Sequence, residues 1–404
     1  MRLDPDQTRM LAELEPRYRI FVRSNGTLVV RLRKALYGCL QSALLWNQHL
    51  VSTLRSIGFK ENAADLCVLN RGEPGADGSQ ITVAVYVDDL LVTAYKEKDI
   101  QDLKAELERV YKTVAEHRGV KLPYLGMLLD YSVPGEVKIT MQKYIDDVLE
   151  LAKVRGQALT PATLHLFDVD EEAAVLSADE KQLFHSLVAK LYYLSKRARP
   201  DILTALSFLT TRVQAPTQED YGKLLRVLKY LNHAKELGIV LRPADGPITV
   251  EAYADAAYGN HQDFKSHTGL VITLGTGPVF VKSTKQTLVT KSSAEAELVA
   301  LADSATQVLW SREFLQEQGY ILGAAKIYQD NQAAIRMMNG GRASTSSKSR
   351  HINVRYFFLT DRIAAGEVTL EYLATADMVA DLLTKPLQGE DFRRLRQVLL
   401  NWRF

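Results

Sequence analysis

Two adjacent acids close the run Tyr86-Val87-Asp88-Asp89, which lies between the apolar segments Ile81 to Val87 and Leu90 to Ala94. Alternation of Ile81, Val83, Val85 and Val87 predicts a strand, and the segment after it predicts the returning half of a β-hairpin with Asp88 and Asp89 at its tip. Carboxylates held together at a turn attract divalent cations. Asp is also a common turn former, because its side chain bonds nearby backbone groups, so the pair alone leaves both readings open.

Four acids in the last third fall where elements begin or end. Asp255 follows a predicted strand, Ile248 to Ala254, and Asp330 ends another, Lys326 to Gln329. Glu297 lies in the first turns of a long helix that a Ser292/Glu295 capping box opens and that runs to about Gln318. Asp381 rides on a final helix near Ala376 to Leu383. Singly these are ordinary capping and strand-end residues. Jointly they can form an oxygen-ligand cradle of the kind that two-metal phosphoryl transfer requires, one ion activating water and the other stabilising the leaving oxygen.

The elements that must position these acids follow from periodicity. Leu28 to Leu32 reads as a strand and Ser42 to Leu54 as a helix; after the turn-rich stretch 71–78 comes the hairpin. Ile100, Leu103, Leu107 and Val110 mark an amphipathic helix, and a strand at Tyr124 to Tyr131 is expected to return to the same sheet. From about Met141 to Leu241 the pattern is helical, with core stripes Leu183, Leu187, Leu191, Leu194 and Tyr221, Leu224, Leu228, Leu231. Arg199-Pro200-Asp201 breaks one helix and can cap the next. Arg242 to Pro247 reads as a linker, and beyond it the order βββ, α, β, α, α, β, α predicts a mixed sheet flanked by helices. The fold class is therefore α+β and α/β, in several domains.

A chain of 404 residues with 50 basic and 48 acidic side chains, net charge +2, carries no whole-molecule field that announces nucleic acid or membrane. No uninterrupted apolar run is long enough to span a bilayer, so no membrane partner is expected. Arg17, Arg19, Arg23, Arg31, Arg33 and Lys34, with Tyr18 and Phe21 among them, suit either a phosphate-tracking surface or a solvated strand face. Cys39 and Cys67 are expected to be buried thiols rather than a disulfide.

The runs Tyr253-Ala254-Asp255-Ala256, Lys291 to Leu298, Ile327 to Ile335, Ser349 to Phe357 and Ala380-Asp381-Leu382-Leu383-Thr384-Lys385-Pro386-Leu387 resemble, in order, the ribonuclease H domain of copia-type long-terminal-repeat retrotransposons. The resemblance implies that Asp255, Glu297, Asp330 and Asp381 bind two Mg²⁺ or Mn²⁺ ions and cut the RNA strand of an RNA-DNA hybrid, with Glu295 capping the helix. Cellular enzymes of this fold carry a histidine in the loop before the last Asp; Ala374-Thr375-Ala376 offers none. His351 is expected to pack its helix, touch the hybrid or take part in catalysis, and Lys348, Arg350 and Arg355 beside it suit phosphate contacts.

Lys34 to Ser42, with Trp46, resembles the Leu-Tyr-Gly motif that precedes the catalytic hairpin in reverse transcriptases of this type, which implies primer-template contacts at Tyr37, Gly38, Gln41 and Tyr86. Ala43-Leu44-Leu45 departs from the Pro-Arg that the family often shows before the Trp. Asp88 and Asp89 would be two parts of a three-carboxylate, two-ion polymerase site whose third part has no counterpart here; Asp4 and Asp6 are poor substitutes. The expected organisation is a partial reverse-transcriptase palm at 1–135, a helical thumb and connection region at 136–246, a ribonuclease H-like domain at 247–388 and a basic tail at 389–404. The polymerase half is expected to be truncated, its remainder supplied by an upstream segment or a second chain. Competing readings are an inactive nucleic-acid-binding remnant and a fragment of an intact, active reverse transcriptase. An intracellular location, in a cytoplasmic particle or the nucleus, is expected from the resemblance.

Overall fold

The computed structural model describes residues 1–36, 38–74, 78–340 and 358–402. Tyr37, Lys348, Arg350, His351 and Arg355 lie outside them. The described chain divides into two compact units, Met1–Val114 and Ala115–Phe404.

The first unit begins with β1 (Arg2–Leu3), α1 (Pro5–Leu14) and β2 (Leu28–Val29). Asp4 caps α1, accepting from the Gln7 backbone N–H at 2.8 Å while the Gln7 side chain bonds back. Its carboxylate thus serves a helix start. The strand expected to reach Leu32 stops at Val29, and Arg17 and Arg19 lie in the 3₁₀ turn Pro16–Phe21 rather than on a strand face. Next come α2 (Leu40–Ser56), longer at both ends than its apolar stripe predicts, then β3 (Lys60–Glu61), β4 (Val68–Arg71), β5 (Ile81–Tyr86), β6 (Asp89–Ala94) and α3 (Glu97–Tyr111). β3 to β6 form an antiparallel sheet in chain order. The inward face of β5, Ile81, Val83 and Val85, packs with Leu50 and Leu54 of α2 and Leu103 and Leu107 of α3. Cys39 and Cys67 are free thiols but exposed, contrary to expectation. Cys39 occupies the extended N-cap position of α2, and Cys67 lies in a turn held by the Asp65 carboxylate.

The second unit opens with β7 (Lys121–Tyr124), β8 (Met127–Asp130) and β9 (Val137–Thr140), then α4 (Gln142–Leu151), α5 (Ala178–Ser195), α6 (Leu203–Thr210), α7 (Gln218–His233) and β10 (Ile239–Pro243). β7 to β9 join β10 rather than the hairpin sheet. The segment read as a linker is partly strand, since Arg242 and Pro243 pair with β13 (Gly275–Thr276).

A mixed sheet follows, built from β11 (Glu251–Ala257), β12 (His267–Thr273), β14 (Pro278–Lys285), β15 (Ala325–Gln329) and β16 (Val368–Tyr372). Its order is β14-β12-β11-β15-β16; the first three strands are antiparallel, and β15 and β16 run parallel to β11. That ordering is a ribonuclease H-like sheet. On one face Ala252, Ala254, Leu270, Ile272 and Ile327 meet α8 (Ser293–Glu317) and α9 (Gln332–Gly340). On the other, Val271 and Val281 join the core of α4 to α7 and of α10 (Gly389–Leu400). Residues 389–400 are thus no tail: Phe392, Leu395, Leu399 and Leu400 are buried, and so is Arg396, while Arg393 and Arg394 face outward.

Candidate metal centre

Small side chains bring the first two acids together. Ala256 on β11 packs against Ala296 and Ala300 on α8, which lets the helix lie close to the sheet. Ser292 caps α8 through the Glu295 backbone N–H. Glu295 turns its carboxylate to the Lys291 N–H at 2.8 Å, one residue before the return bond of a standard capping box. Glu295 is thereby committed to the helix start, and Glu297 is delivered buried beside Asp255. The latter lies inside β11 rather than after the strand.

The third acid, Asp330, immediately follows β15 and is half-buried. One oxygen from each of Asp255, Glu297 and Asp330 lies within 4.8 Å of the others. Gln329 holds Glu297 in place, its amide N–H₂ donating to Glu297 Oε2 at 3.1 Å and to the Ala254 carbonyl at 3.2 Å. Thr375 donates to Asp330 Oδ2 at 2.8 Å. The stretch that lacks a histidine therefore places a hydroxyl on a candidate ligand.

The fourth acid arrives on a 3₁₀ turn, Val379–Leu383, not on the α-helix expected. All five of its residues are buried, leaving no solvent face for an amphipathic helix. Asp381 is joined to Asp255 through Lys385, whose ammonium is 2.7 Å from Asp381 Oδ1 and 3.6 Å from Asp255 Oδ2. The buried Thr384 hydroxyl donates to Asp255 Oδ2.

Electrostatically the cluster is short of positive charge. Burial, then the neighbouring Asp255 and Asp330 carboxylates, hold Glu297 far above the usual carboxylate range. Burial and Asp255 likewise raise Asp381, against the opposing pull of Lys385. Although burial alone would lower the Lys385 ammonium, Asp255 and Asp381 outweigh it and raise it. Three converging carboxylates with no nitrogen or sulfur donor among them fit a hard divalent cation.

The other acidic pair is different. Tyr86 pairs with Asp89 across the hairpin, so Asp88 stands in the turn and Asp89 opens β6; both are exposed. Val87 adopts φ 55°, a costly backbone for a β-branched residue, and Trp46 of α2 donates to its carbonyl at 2.9 Å. This bond gives a physical reason for a Trp at that spacing: it secures a strained hairpin tip. Gly38 and Gln41 are exposed in the same unit, as is Tyr86. Among the described residues, Asp88 and Asp89 gather no third ligand into such a group.

Sequence reasoning missed Gln329, Thr375, Thr384 and Lys385. A basic residue four places after Asp381, within a run already singled out, was a usable signal for the last of them.

A family model described as "Reverse transcriptase (RNA-dependent DNA polymerase)" matches residues 19–163. The Retrovirus-related Pol polyprotein from transposon RE1 of Arabidopsis thaliana is 30% identical over 371 residues, covering 90% of this chain and 24% of that protein. The corresponding polyprotein from transposon TNT 1-94 of Nicotiana tabacum is 26% identical over 381 residues, covering 92% of this chain and 28% of that protein. The chain thus spans about a quarter of the length of these curated relatives. In fold it is similar to the foamy viral protease-reverse transcriptase solved with an RNA/DNA hybrid, with TM-score 0.50, 13% identity, and coverage of 87% of this chain and 40% of that one. Together with the ordered motifs, these similarities show that the chain belongs with the reverse transcriptases of copia-type retrotransposon Pol polyproteins.

Proposed function

We propose that the second unit is a metal-dependent ribonuclease that cuts the RNA strand of an RNA-DNA hybrid, and that the first contributes a palm surface for primer-template. The observation that carries this reading is the convergence of Asp255, Glu297 and Asp330 within 4.8 Å, with Asp381 beside Asp255. Asp255, Glu297 and Asp330 would hold one divalent ion, and Asp255 with Asp381 a second. When bound, such ions supply an activated water and neutralise charge developing on the phosphate. The chain's own groups orient the ligands: Gln329 fixes Glu297, Thr375 fixes Asp330 and Thr384 fixes Asp255. The hybrid-bound solved structure of similar fold supports a hybrid as the nucleic-acid partner. Lys348, Arg350, His351 and Arg355 are proposed to touch it.

Asp88 and Asp89 are proposed to supply two carboxylates of a polymerase site that this chain does not complete among its described residues. DNA synthesis is therefore not assigned to the chain acting alone. In Mg²⁺ or Mn²⁺, labelled RNA should be cleaved when annealed to DNA and left intact when single-stranded. Asp330→Asn should abolish cleavage, and an unchanged rate in that variant would overturn the site assignment.

A further inference from the structure

The four acids are not equivalent in how their charge is balanced. Asp255, Glu297 and Asp330 face one another within 4.8 Å, and among the described residues neither Glu297 nor Asp330 forms an ion pair with Lys385, although its charge reaches both. The Asp255–Asp381 pair is instead bridged by the Lys385 ammonium at 3.6 and 2.7 Å. An ammonium at that position is close to both carboxylates that a second divalent ion would have to share.

Lys385 is also well anchored at its base. Its backbone N–H donates to the Asp381 carbonyl at 2.9 Å, and Thr384, fully buried, is bonded to Asp255. Pro386 follows and restricts the chain beyond. The turn itself rests on β12 at Gly269, where an added Cβ would come within 2.8 Å of the Ala380 carbonyl oxygen. The side chain beyond this anchor is about one-third exposed, at 36%, so the ammonium has an outlet to solvent while its backbone stays put.

We infer that Lys385 is a built-in counter-ion occupying the second cation position of the carboxylate cluster, so that the first divalent ion enters freely and the second only by displacing the ammonium. The inference rests on the ribonuclease reading of this site and adds an order of loading to it. Carboxylates gathered without a bound ion repel one another, and one fixed ammonium beside two of them lowers that cost. The same contact must be broken before a second ion can reach Asp381.

Titration of the full chain with Mn²⁺, followed by the electron paramagnetic resonance signal of the free ion, tests this without reference to activity. The parent chain should bind one Mn²⁺ tightly and a second weakly. Lys385→Met should tighten the second step by about tenfold or more, as expected for removing one charge a few ångströms away, and the first, which shares Asp255, by less. Lys385→Arg, which keeps the charge, should titrate like the parent. Lys385→Met should also melt lower than the parent without metal and recover in Mn²⁺. Superimposable titrations of parent and Lys385→Met, or Lys385→Arg tightening as much as Lys385→Met, would overturn the counter-ion role while leaving the ribonuclease reading intact. A parent chain that binds no Mn²⁺ at all would overturn both.

Discussion

Asp255 and Gly269 face each other across the antiparallel β11–β12 ladder, and the missing side chain at Gly269 is what admits the turn that carries Asp381. An added Cβ at Gly269 would lie 2.8 Å from both the Ala380 carbonyl oxygen and Thr384 Cγ2, and 3.0 Å from Leu383 Cβ. These neighbours are mostly backbone or short, buried side chains, so relief requires the whole Val379–Leu383 turn to lift from the sheet. Gly269→Ala should therefore cost about 1–3 kcal/mol by overpacking. It should also weaken the gain in melting temperature on adding Mg²⁺, since Asp381 and Lys385 move with the turn. A variant that melts like its parent with and without Mg²⁺ would show that the close approach has no bearing on the site.

Much of this arrangement is legible in the amino-acid order, and the exceptions have physical causes. The hairpin at Asp88 is readable because Ile81, Val83 and Val85 alternate and pack one face only. Asp255, Glu297 and Asp330 stand out because each falls at a position where apolar periodicity is interrupted or a helix is capped. The Asp381 turn is misread as a helix because its residues are buried all round, which erases the periodic signal. Helix α10 escapes notice for a different reason: Arg393, Arg394 and Arg396 interrupt its apolar residues, although Phe392, Leu395 and Leu399 form its inner stripe. Arg396 itself reaches inward to Tyr230 at 3.1 Å. The spacing of Lys385 from Asp381 is readable in the sequence, but its approach to Asp255 is not, because that depends on the close docking at Gly269.

Arg396 and Tyr230 belong to a buried network centred on Arg199 and Asp201, whose side chains are fully buried at 0% exposure. The guanidinium donates to Asp201 through Nε at 3.0 Å and through a terminal nitrogen at 2.8 Å, and to the Ala234 carbonyl at 2.6 Å. The Tyr230 hydroxyl donates to the same carboxylate. A break in the helix was readable at Arg199-Pro200-Asp201, but not that both charges would be interred together. Removing one member strands the other, so Asp201→Ala should destabilise the chain by about 3–5 kcal/mol, measured by urea unfolding. A loss below about 1 kcal/mol, within the range of an exposed ion pair, would mean that the network is solvated in solution.

A second buried chain makes stability depend on acid. His261 Nε2 and His267 Nδ1 lie 2.9 Å apart, and His267 Nε2 is 2.8 Å from Ser283 Oγ. Burial, reinforced by Lys285, pushes His261 down to about 4; burial, reinforced by His261 and Lys285, pushes His267 down to about 3. Above pH 6.5, the ordinary histidine value, neither the folded nor the unfolded chain binds these protons, and their contribution to stability is fully present. Below it the unfolded chain takes up protons that the folded chain refuses, so stability falls through about pH 4 and on towards about pH 3. Each histidine contributes a slope of roughly 1.4 kcal/mol per pH unit inside its window. Asp263, held down to about 2 by Lys285 and Lys265, adds its own loss only below the ordinary aspartate value of 3.8. His267→Gln keeps an amide for the Ser283 hydroxyl but removes one titrating group. It should roughly halve the histidine part of the decline between pH 6 and pH 4, read as the change in urea midpoint. Parallel curves for parent and variant would mean that His267 takes up its proton in the folded chain as readily as in the unfolded one.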